Sequence, residues 1–305
     1  SPASLTKLMT ALLLYESNSL NQDINAKFPQ GYEYSGKVAY LEEGLVLTTE
    51  ELLELLLVYS ANDAAYIAAM EISDNIDSFV ELMNLKAKEI GMVDTLYVNP
   101  DGLDELGHET TLNDLLTLSI YIIENTKLLD ITSKKKVFLD LGGTNTFSNT
   151  NLLIDEGFEG LKTGWTSKAG LTFIGFNQNN SRRVITIVNK SFVDTEKINH
   201  FIDTKSLYIK SINDFAVNNL IKSNNVIYKI YNPKSITNYY PDKEINSFTR
   251  TNLAIQEFIE IKNNKFLISF NNLEMKETFN IPSSNYKIDY QFHWSNRFLN
   301  NIFND

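Results

Sequence analysis

The chain has 305 residues, of which 43% are apolar and 21% are charged, and its formal net charge is -11. This length favours two globular domains, and the acidic balance argues against nucleic acid as a partner, because phosphate binding needs clustered Lys and Arg. The absence of Cys excludes disulfides and thiolate metal sites. His108, His200 and His293 show no metal-ligand or Ser-His-Asp spacing, so we expect no metal or cofactor, and a lysine as any catalytic base.

The longest apolar segment, Leu52 to Met70, is interrupted by polar residues, whereas a membrane-spanning helix needs about 18 apolar residues. We therefore expect no membrane-spanning helix in this sequence. The chain starts at Ser1 without Met and without a basic, apolar leader, so any export signal would lie upstream of Ser1. Composition alone leaves the compartment open.

The first half of the chain is predicted to be mostly helical. Pro2 suits the start of a helix, and apolar residues then recur at helical spacing up to about Ser17. A strong turn is predicted at Asn99 to Gly102. Further helices are predicted at Thr49–Met70, broken near Ser60 with Asn62 and Asp63 as cap residues, at Phe79–Ile90 ending before Gly91, and at Thr111–Ile123.

From Gly142 onward, short apolar runs alternate with Gly and Asn turns, which is typical of strands. One sheet is predicted from strands at Gly160–Thr163, Leu171–Phe176 and Val184–Val188, with a helix at Thr195–Ile209 packed on it. After Asn213 further strands are predicted at Val226–Tyr231, Phe266–Phe270 and Tyr286–Phe292. We therefore expect one domain over residues 1–210 and a smaller, β-rich domain over residues 211–305.

The end of the chain carries Trp294, Phe298 and Ile302 at helical spacing. A short amphipathic helix here lacks the basic face of a membrane-surface helix. We favour docking onto its own domain over peripheral membrane association, which stays an alternative.

Three short motifs carry the chemistry, and their order along the chain matters more than any one of them. The first is Ser4-Leu5-Thr6-Lys7. Ser4 and Lys7 lie three residues apart on a helix, so the amine can reach the hydroxyl. A serine becomes a nucleophile when a base takes its proton, and lysine is a base only when its cation is disfavoured. We expect the helix N-terminus and a nearby Lys162 to disfavour it.

The second motif, Ser60-Ala61-Asn62, places a hydroxyl and an amide side by side. The Ser60 hydroxyl can pass a proton to a leaving amine, and the Asn62 amide can hold a substrate carbonyl or orient Lys7. Helix capping explains these two residue types equally well.

The third motif, Lys162-Thr163-Gly164, is predicted to lie on an edge strand. Glycine there lets another backbone approach, so a peptide can add as an extra strand while Lys162 and Thr163 bind its carboxylate. The backbone N–H of Trp165 and that of Ser4 would then form an oxyanion hole.

With these motifs the chain resembles the low-molecular-mass penicillin-binding proteins, the serine-type D-alanyl-D-alanine carboxypeptidases. The resemblance covers Ser1 to about Ile209 and includes the segments Pro2–Thr10, Asn99–Leu103, Thr110–Asp114, Asn149–Leu153 and Gly160–Gly170. It implies an α+β fold in which an antiparallel sheet is flanked by helices and joined to a helical lobe, followed by the β-rich domain.

The resemblance also implies an exported enzyme, periplasmic or on the outer face of the cytoplasmic membrane, that trims the terminal D-Ala of peptidoglycan stem pentapeptides. β-Lactams acylate the serine of such enzymes. The resemblance makes Ser4 the nucleophile, Lys7 the base and Ser60 the proton relay. Substrate contacts would come from Asn62, Lys162, Thr163, Gly164 and Trp165.

The chain departs from this family at Trp165, where many members have His, and at Lys197, the nearest cation to where members often carry a carboxylate-binding arginine. Strands that precede the nucleophile helix in the family are also absent, so we expect a chain trimmed at its N-terminus.

Two other functions compete with this interpretation. A class A β-lactamase shares the three motifs, and Glu109 to Asn113 imitates the glutamate loop of those enzymes. A cell-wall-binding homologue with weak catalysis is the non-enzyme alternative. Carboxypeptidase, endopeptidase and weak transpeptidase activity share one set of acylating groups, so the sequence does not separate them.

Overall fold

The computed structural model describes residues 1–141, 143–179 and 182–221 and, beyond them, the strands given below. The chain divides into two compact units, Ser1–Ile209 and Lys210–Asp305. None of the described helices is long and apolar enough to cross a membrane.

The helices of the first unit form a lobe around a buried first helix. A 3-10 turn at Ala3–Thr6 leads into α1 (Lys7–Ser17), whose residues from Lys7 to Leu14 are all buried. A helix that is apolar on nearly every side packs in the interior. The other helices of the lobe are α2 (Thr49–Glu54), α3 (Asn62–Ile72), α4 (Ile76–Ile90), α5 (Leu112–Asn125) and α6 (Leu128–Thr132). Helix α7 (Asn199–Asp214) packs elsewhere, with Phe201 against Phe158 and Phe173.

Local signals explain where these helices begin and end. Thr48 and Glu51 form a capping box at the start of α2, and the Thr111 side chain caps α5 by accepting from the Asp114 N–H. Helix α4 ends at Ile90, and the cap residue Gly91 has a left-handed φ of 93° that suits glycine.

The strands of the first unit are all antiparallel. They comprise the pair β1 (Asp23–Asn25) and β2 (Val46–Thr48), the hairpin β3 (Lys136–Asp140) and β4 (Thr144–Ser148), and a sheet of β5 (Phe158–Thr166), β6 (Gly170–Asn179) and β7 (Arg182–Ser191). The described sheet has the order β5-β6-β7, so β5 lies at an edge. The predicted strands of this sheet are confirmed, whereas α6, the β1–β2 pair and the β3–β4 hairpin were not predicted.

The last helix of the first unit begins later than predicted. Its first residue is Asn199, not Thr195, because residues 194–197 form a turn in which Asp194 Oδ1 accepts from the Lys197 N–H at 2.7 Å. Lys197 has a φ of 54°, which is outside the α-helical region.

The second unit is described as antiparallel strands. They are β8 (Phe215–Ile221) paired with β11 (Ile245–Arg250); β9 (Tyr228–Asn232), β10 (Ser235–Tyr239) and β15 (Lys287–Ile288); and β12 (Glu257–Lys262), β13 (Lys265–Phe270) and β14 (Lys276–Asn280). Most of the predicted strand Tyr286–Phe292, and the tail with Trp294, Phe298 and Ile302, lie outside the described residues.

Candidate active site

Ser4 and Lys7 form the centre of the site. Lys7 Nζ donates to Ser4 Oγ at 3.0 Å and to the backbone oxygen of Asp101 at 2.5 Å. Lys7 is 0% exposed because α1 is surrounded by apolar side chains. The amine is therefore held against the hydroxyl by a carbonyl on a distant turn.

The pKa of Lys7 is lowered to about 8; burial is the largest cause, Asp101 and Asp63 oppose it, and Lys37 adds to it. The sequence-based expectation named the helix N-terminus and Lys162 as the causes, and the larger cause is loss of water around the amine. A lysine with this pKa is neutral in a useful fraction of molecules near neutral pH.

Ser60 follows an unusual helix end. A π-helical segment over Leu55–Tyr59 continues α2, and Ser60 itself has a left-handed φ of 73°. The Ala61 N–H then donates back to the Leu55 oxygen at 2.9 Å. This geometry breaks the helix where the sequence predicted and places Ser60 on the wall of the same cleft as Ser4.

Asn62 and Asp63 do not cap α3, so that part of the prediction is wrong. The N-cap position is Ala61, with no side-chain cap bond. Asn62 Nδ2 instead donates to the Ser35 oxygen at 2.8 Å. Asp63 accepts from the backbone N–H groups of the neighbouring loop at Ala39 and Leu41, as well as that of Ala64. Both side chains therefore hydrogen-bond to the backbone of the loop at residues 35–41, beside the cleft.

The Lys162-Thr163-Gly164 motif lies in β5 beside the Ser4 turn. A Cβ atom built on Gly164 would be 3.0 Å from Ser4 N and 2.6 Å from Thr172 Oγ1. Glycine is needed here because the chain's own Ser4 turn packs against it, whereas the sequence suggested that a bound peptide would be the neighbour. Motifs one and three therefore meet directly.

The two polar side chains of this motif are engaged inside the protein. Lys162 is 1% exposed, and its Nζ donates to the Thr163 oxygen at 3.1 Å. Burial lowers its pKa well below the ordinary value, and Lys7 and Lys37 add to this effect. Thr163 Oγ1 donates to Thr150 Oγ1 at 2.6 Å.

A cleft of about 830 Å³ joins these parts. Its walls include Ser4, Ser60, Asn62, Thr163, Gly164 and Trp165, whereas Lys7 and Lys162 lie beneath the surface. The cleft is also lined by Lys197, whose Nζ lies 4.0 Å from the centre of the Trp165 ring. This pairing of the two positions that depart from the family pattern was not predicted.

The sequence did not predict that His108 contacts the helical turn of Ser4 and Lys7. His108 Nε2 and Thr6 Oγ1 are 2.7 Å apart, and the Val98 N–H donates to His108 Nδ1 at 3.1 Å. His108 is 1% exposed, and burial lowers its pKa to about 4, so the ring is neutral near pH 7. The sequence predicted the turn at Asn99 to Gly102. It gave no sign of which residues this turn contacts.

The glutamate of the competing β-lactamase interpretation is not at the cleft. Glu109 is exposed, and its backbone pairs with Leu96 in an isolated bridge. It is absent from the cleft walls. In the part of the chain that the structure describes, no three His, Asp or Glu side chains form a group that could hold a metal.

The fold and this cleft define the class of the penicillin-binding proteins. A solved structure of the D-alanyl-D-alanine carboxypeptidase DacD from Francisella tularensis aligns over 95% of this chain and 88% of its own, with a TM-score of 0.72 at 20% identity. Penicillin-Binding Protein D2 from Listeria monocytogenes, in its cefotaxime-bound form, aligns over 68% of this chain and 85% of its own, with a TM-score of 0.59 at 32% identity.

The chain belongs to the D-alanyl-D-alanine carboxypeptidase family, whose model matches residues 1–192. D-alanyl-D-alanine carboxypeptidase DacF of Bacillus subtilis is 31% identical over 195 residues, 61% of this chain and 50% of that protein. A D-alanyl-D-alanine endopeptidase of Pseudomonas aeruginosa is 32% identical over 212 residues, 67% of each. The chain spans about half the length of the first of these relatives.

Proposed function

We propose that the chain is a serine-type D-Ala-D-Ala carboxypeptidase that removes the terminal D-Ala of peptidoglycan stem pentapeptides. The observation that carries this proposal is the 3.0 Å hydrogen bond from a fully buried Lys7 to Ser4 Oγ. The lowered pKa of Lys7, about 8, suits a general base. Family membership supports the substrate class.

In the acylation step, Ser4 Oγ attacks the carbonyl carbon of the penultimate D-Ala and its proton passes to Lys7 Nζ. The backbone N–H groups of Ser4 and Trp165 donate to the oxygen that becomes negative; losing one such donor typically raises the barrier by about 3 to 4 kcal/mol. The C–N bond then breaks, and Ser60 relays a proton to the departing D-Ala amine. Water hydrolyses the ester and returns a proton to Ser4.

The donor peptide would lie along the edge strand β5, which offers unpaired backbone groups. Asn62 would hold a substrate carbonyl, and Lys162, Thr163 and Gly164 would form the side of the cleft that receives the terminal carboxylate. The position of these residues on or beneath one cleft supports this assignment.

The proposal extends to partners and location. We propose that β-lactams acylate Ser4 and that the protein works outside the cytoplasmic membrane, where peptidoglycan lies; the solved Listeria relative binds cefotaxime. Residues 1–210 would form the catalytic domain, and residues 211–305 a spacer or docking domain. The β-lactamase alternative is not favoured, because Glu109 is not in the cleft.

A second candidate is D-alanyl-D-alanine endopeptidase activity, favoured by the Pseudomonas relative of that name. It uses the same acylating groups on a cross-linked donor. Release of peptide from a cross-linked dimer, compared with release of D-Ala from a linear peptide, separates the two.

The test is D-Ala release from diacetyl-L-Lys-D-Ala-D-Ala, together with labelling by a fluorescent penicillin. We expect both in the unaltered chain and neither in Ser4→Ala. Labelling without D-Ala release would favour the cell-wall-binding homologue, and rapid loss of the label that Glu109→Ala prevents would favour a β-lactamase.

A further inference from the structure

The loop at residues 98–108 lies against the start of α1. Its Asp101 oxygen accepts from Lys7 Nζ at 2.5 Å, and its Pro100 oxygen accepts from Thr10 Oγ1 at 2.6 Å. Both acceptors are backbone oxygens, so their positions depend on the path of the loop. This loop therefore helps to set where the amine of Lys7 lies.

The same loop packs on the turn that carries Ser4. Gly102 has a left-handed φ of 88°, and a Cβ atom built on it would lie 1.9 Å from the Ala3 oxygen and 2.9 Å from Thr6 Oγ1. The backbone of the loop is thus so close to the Ser4 turn that no side chain fits between them. A shift of the loop would displace this turn as well.

His108 joins both ends of this loop to the Ser4 turn. Its Nδ1 accepts from the Val98 N–H at 3.1 Å, so in the neutral ring the proton is on Nε2. Nε2 and Thr6 Oγ1 are 2.7 Å apart, and Nε2 is then the donor. One ring therefore closes the loop and also connects it to the turn.

The two contacts of His108 need a neutral ring, because a proton on Nδ1 would face the Val98 N–H. Burial lowers the pKa of His108 to about 4, so the ring is neutral in the pH range where Lys7 can act as a base. The ring of Tyr97 packs against it with centres 5.8 Å apart. The charged groups that act on the ring are Asp104, which favours protonation, and Lys7, Lys168 and the Ser1 amino group, which oppose it.

Asp104, in the same loop, connects it to the end of β5. Its Oδ1 accepts from Thr166 Oγ1 at 2.7 Å and from Ser1 Oγ at 3.0 Å, and its Oδ2 accepts from the Lys168 N–H at 3.0 Å. Thr166 is the last residue of β5 and follows Trp165, whose backbone N–H is the proposed oxyanion donor. The loop therefore contacts both the start of α1 and the strand that supplies this donor.

We propose that His108 and Asp104 are positioning residues for acyl transfer, because together they hold the loop at residues 98–108 between the Ser4 turn and β5. The loop then sets the spacing between Ser4 Oγ, which forms the new bond, and the Trp165 N–H, which faces the oxygen that becomes negative. A misplacement of about 1 Å can cost about 100-fold in rate. This inference rests on the proposed function and assigns two further residues to it.

The first experiment measures acylation by a fluorescent penicillin at pH 9, where most Lys7 is neutral, and separates non-covalent binding from the acylation rate constant. His108→Leu should lower the rate constant about 100-fold and change non-covalent binding by less than about threefold. His108→Gln should recover most of the rate, because its amide offers an acceptor and a donor in place of the two ring nitrogens. A residue with a structural role alone would change the free energy of unfolding and leave the rate constant of the folded protein unaltered.

Thr6 tests the same hydrogen bond from its other end. Thr6→Val keeps the shape of the side chain and removes the acceptor, whereas Thr6→Ser keeps the hydroxyl and is the matched control. Thr6→Val should acylate more slowly than Thr6→Ser, and adding it to His108→Leu should cause little further loss, because both variants break one bond. Rate losses that multiply would overturn the role of this bond. If His108→Leu does not fold, equal rates in Thr6→Val and Thr6→Ser would overturn it.

Asp104 is tested with a boronic acid that forms a tetrahedral adduct with Ser4, since an oxygen of that adduct occupies the oxyanion site. Asp104→Ala should weaken the adduct about tenfold and change non-covalent binding of the penicillin by less than about threefold. Glu105→Ala is the matched control and should keep the affinity, because Glu105 accepts from Asn99 Nδ2 at 3.1 Å within the loop itself. An equal loss in Glu105→Ala would overturn the assignment to Asp104.

Penicillin labelling of the unaltered chain separates the two proposals. If Ser4 is labelled, but His108→Leu acylates at the unaltered rate and Asp104→Ala binds the boronic acid normally, the positioning role is wrong and the proposed function stands. If Ser4 is not labelled and no D-Ala is released, the proposed function fails, and the positioning role fails with it.

Discussion

Lysine side chains lie both on the floor and at the rim of the cleft, and they differ in their exposure to solvent. Lys7 and Lys162 form the floor and are 0% and 1% exposed, whereas Lys37 and Lys197 are exposed at the rim. Each rim ammonium lies over an aromatic ring, at 4.1 Å from Tyr59 and 4.0 Å from Trp165 respectively.

This difference accounts for the two roles that we propose for lysine here, a base on the floor and a cation at the rim. Burial disfavours the charged amine and lowers the pKa of Lys7 and Lys162, and at the rim it lowers that of Lys37 as well. A ring face stabilises an ammonium ion that keeps its water on the other side. Substitutions on the floor should therefore abolish chemistry, and those at the rim should only tune it.

The largest effect is expected for Lys7→Met. Without the base, acylation of Ser4 by a fluorescent penicillin should slow by about 10²- to 10⁴-fold, measured by stopped flow. Lys7→Arg is the control, because a guanidinium stays protonated and cannot take the serine proton. Recovery of the rate in Lys7→Arg would show that the floor needs a charge rather than a base.

The next largest effect is expected at Gly164, where β5 contacts the Ser4 turn. In Gly164→Ala the new Cβ would lie 3.0 Å from Ser4 N and 2.6 Å from Thr172 Oγ1. Overpacking of this kind costs about 1 to 3 kcal/mol, and displacement of Ser4 should slow penicillin acylation about 100-fold.

Thr172→Ala alone, which removes a buried hydroxyl without a partner, is the matched control and should acylate normally. Combined with Gly164→Ala, it should restore part of the lost rate. Normal acylation in Gly164→Ala alone would refute the close contact.

An intermediate effect is expected on the free energy of unfolding, from the buried His108. The pKa of His108 in the folded protein is about 4, below its ordinary 6.5, so protonation favours unfolding. Stability is full above about pH 6.5 and falls as the pH drops towards 4; at pH 5 the loss from this residue is roughly 2 kcal/mol.

Urea unfolding at pH 7 and pH 5 measures this loss. His108→Gln should flatten the pH dependence, although His200, whose pKa is also lowered to about 4, keeps part of it. An unchanged slope in His108→Gln would contradict the assignment.

The smallest effect is expected at the rim. Lys37 lowers the pKa of Lys7, so Lys37→Met should raise that pKa and move the acid limb of the acylation rate to higher pH by less than about one unit. In the unaltered chain this limb should rise through about pH 8, as the base becomes neutral. Penicillin acylation across pH 6 to 9 measures both, and a limb that Lys37→Met moves downward would reverse the sign of the argument.

Much of the first unit was predictable because its signals are local. Thr48 with Glu51, Thr111 with Asp114, and Gly91 mark helix ends within one turn of the residues that they serve. The caps assigned to Asn62 and Asp63 failed for the opposite reason. Both side chains contact a loop more than 20 residues away, and tertiary contacts of this kind override a local preference.

The sequence by itself determined which residues we propose for the chemistry, since Ser4 and Lys7 share a helical turn and Lys162 to Gly164 share a strand. Only the tertiary structure decided how they act. The carbonyl that holds Lys7 is 94 residues away, and the apolar packing that strips water from its amine comes from several elements. A pKa depends on the solvent and charges that surround a group in space, and residue order does not specify those.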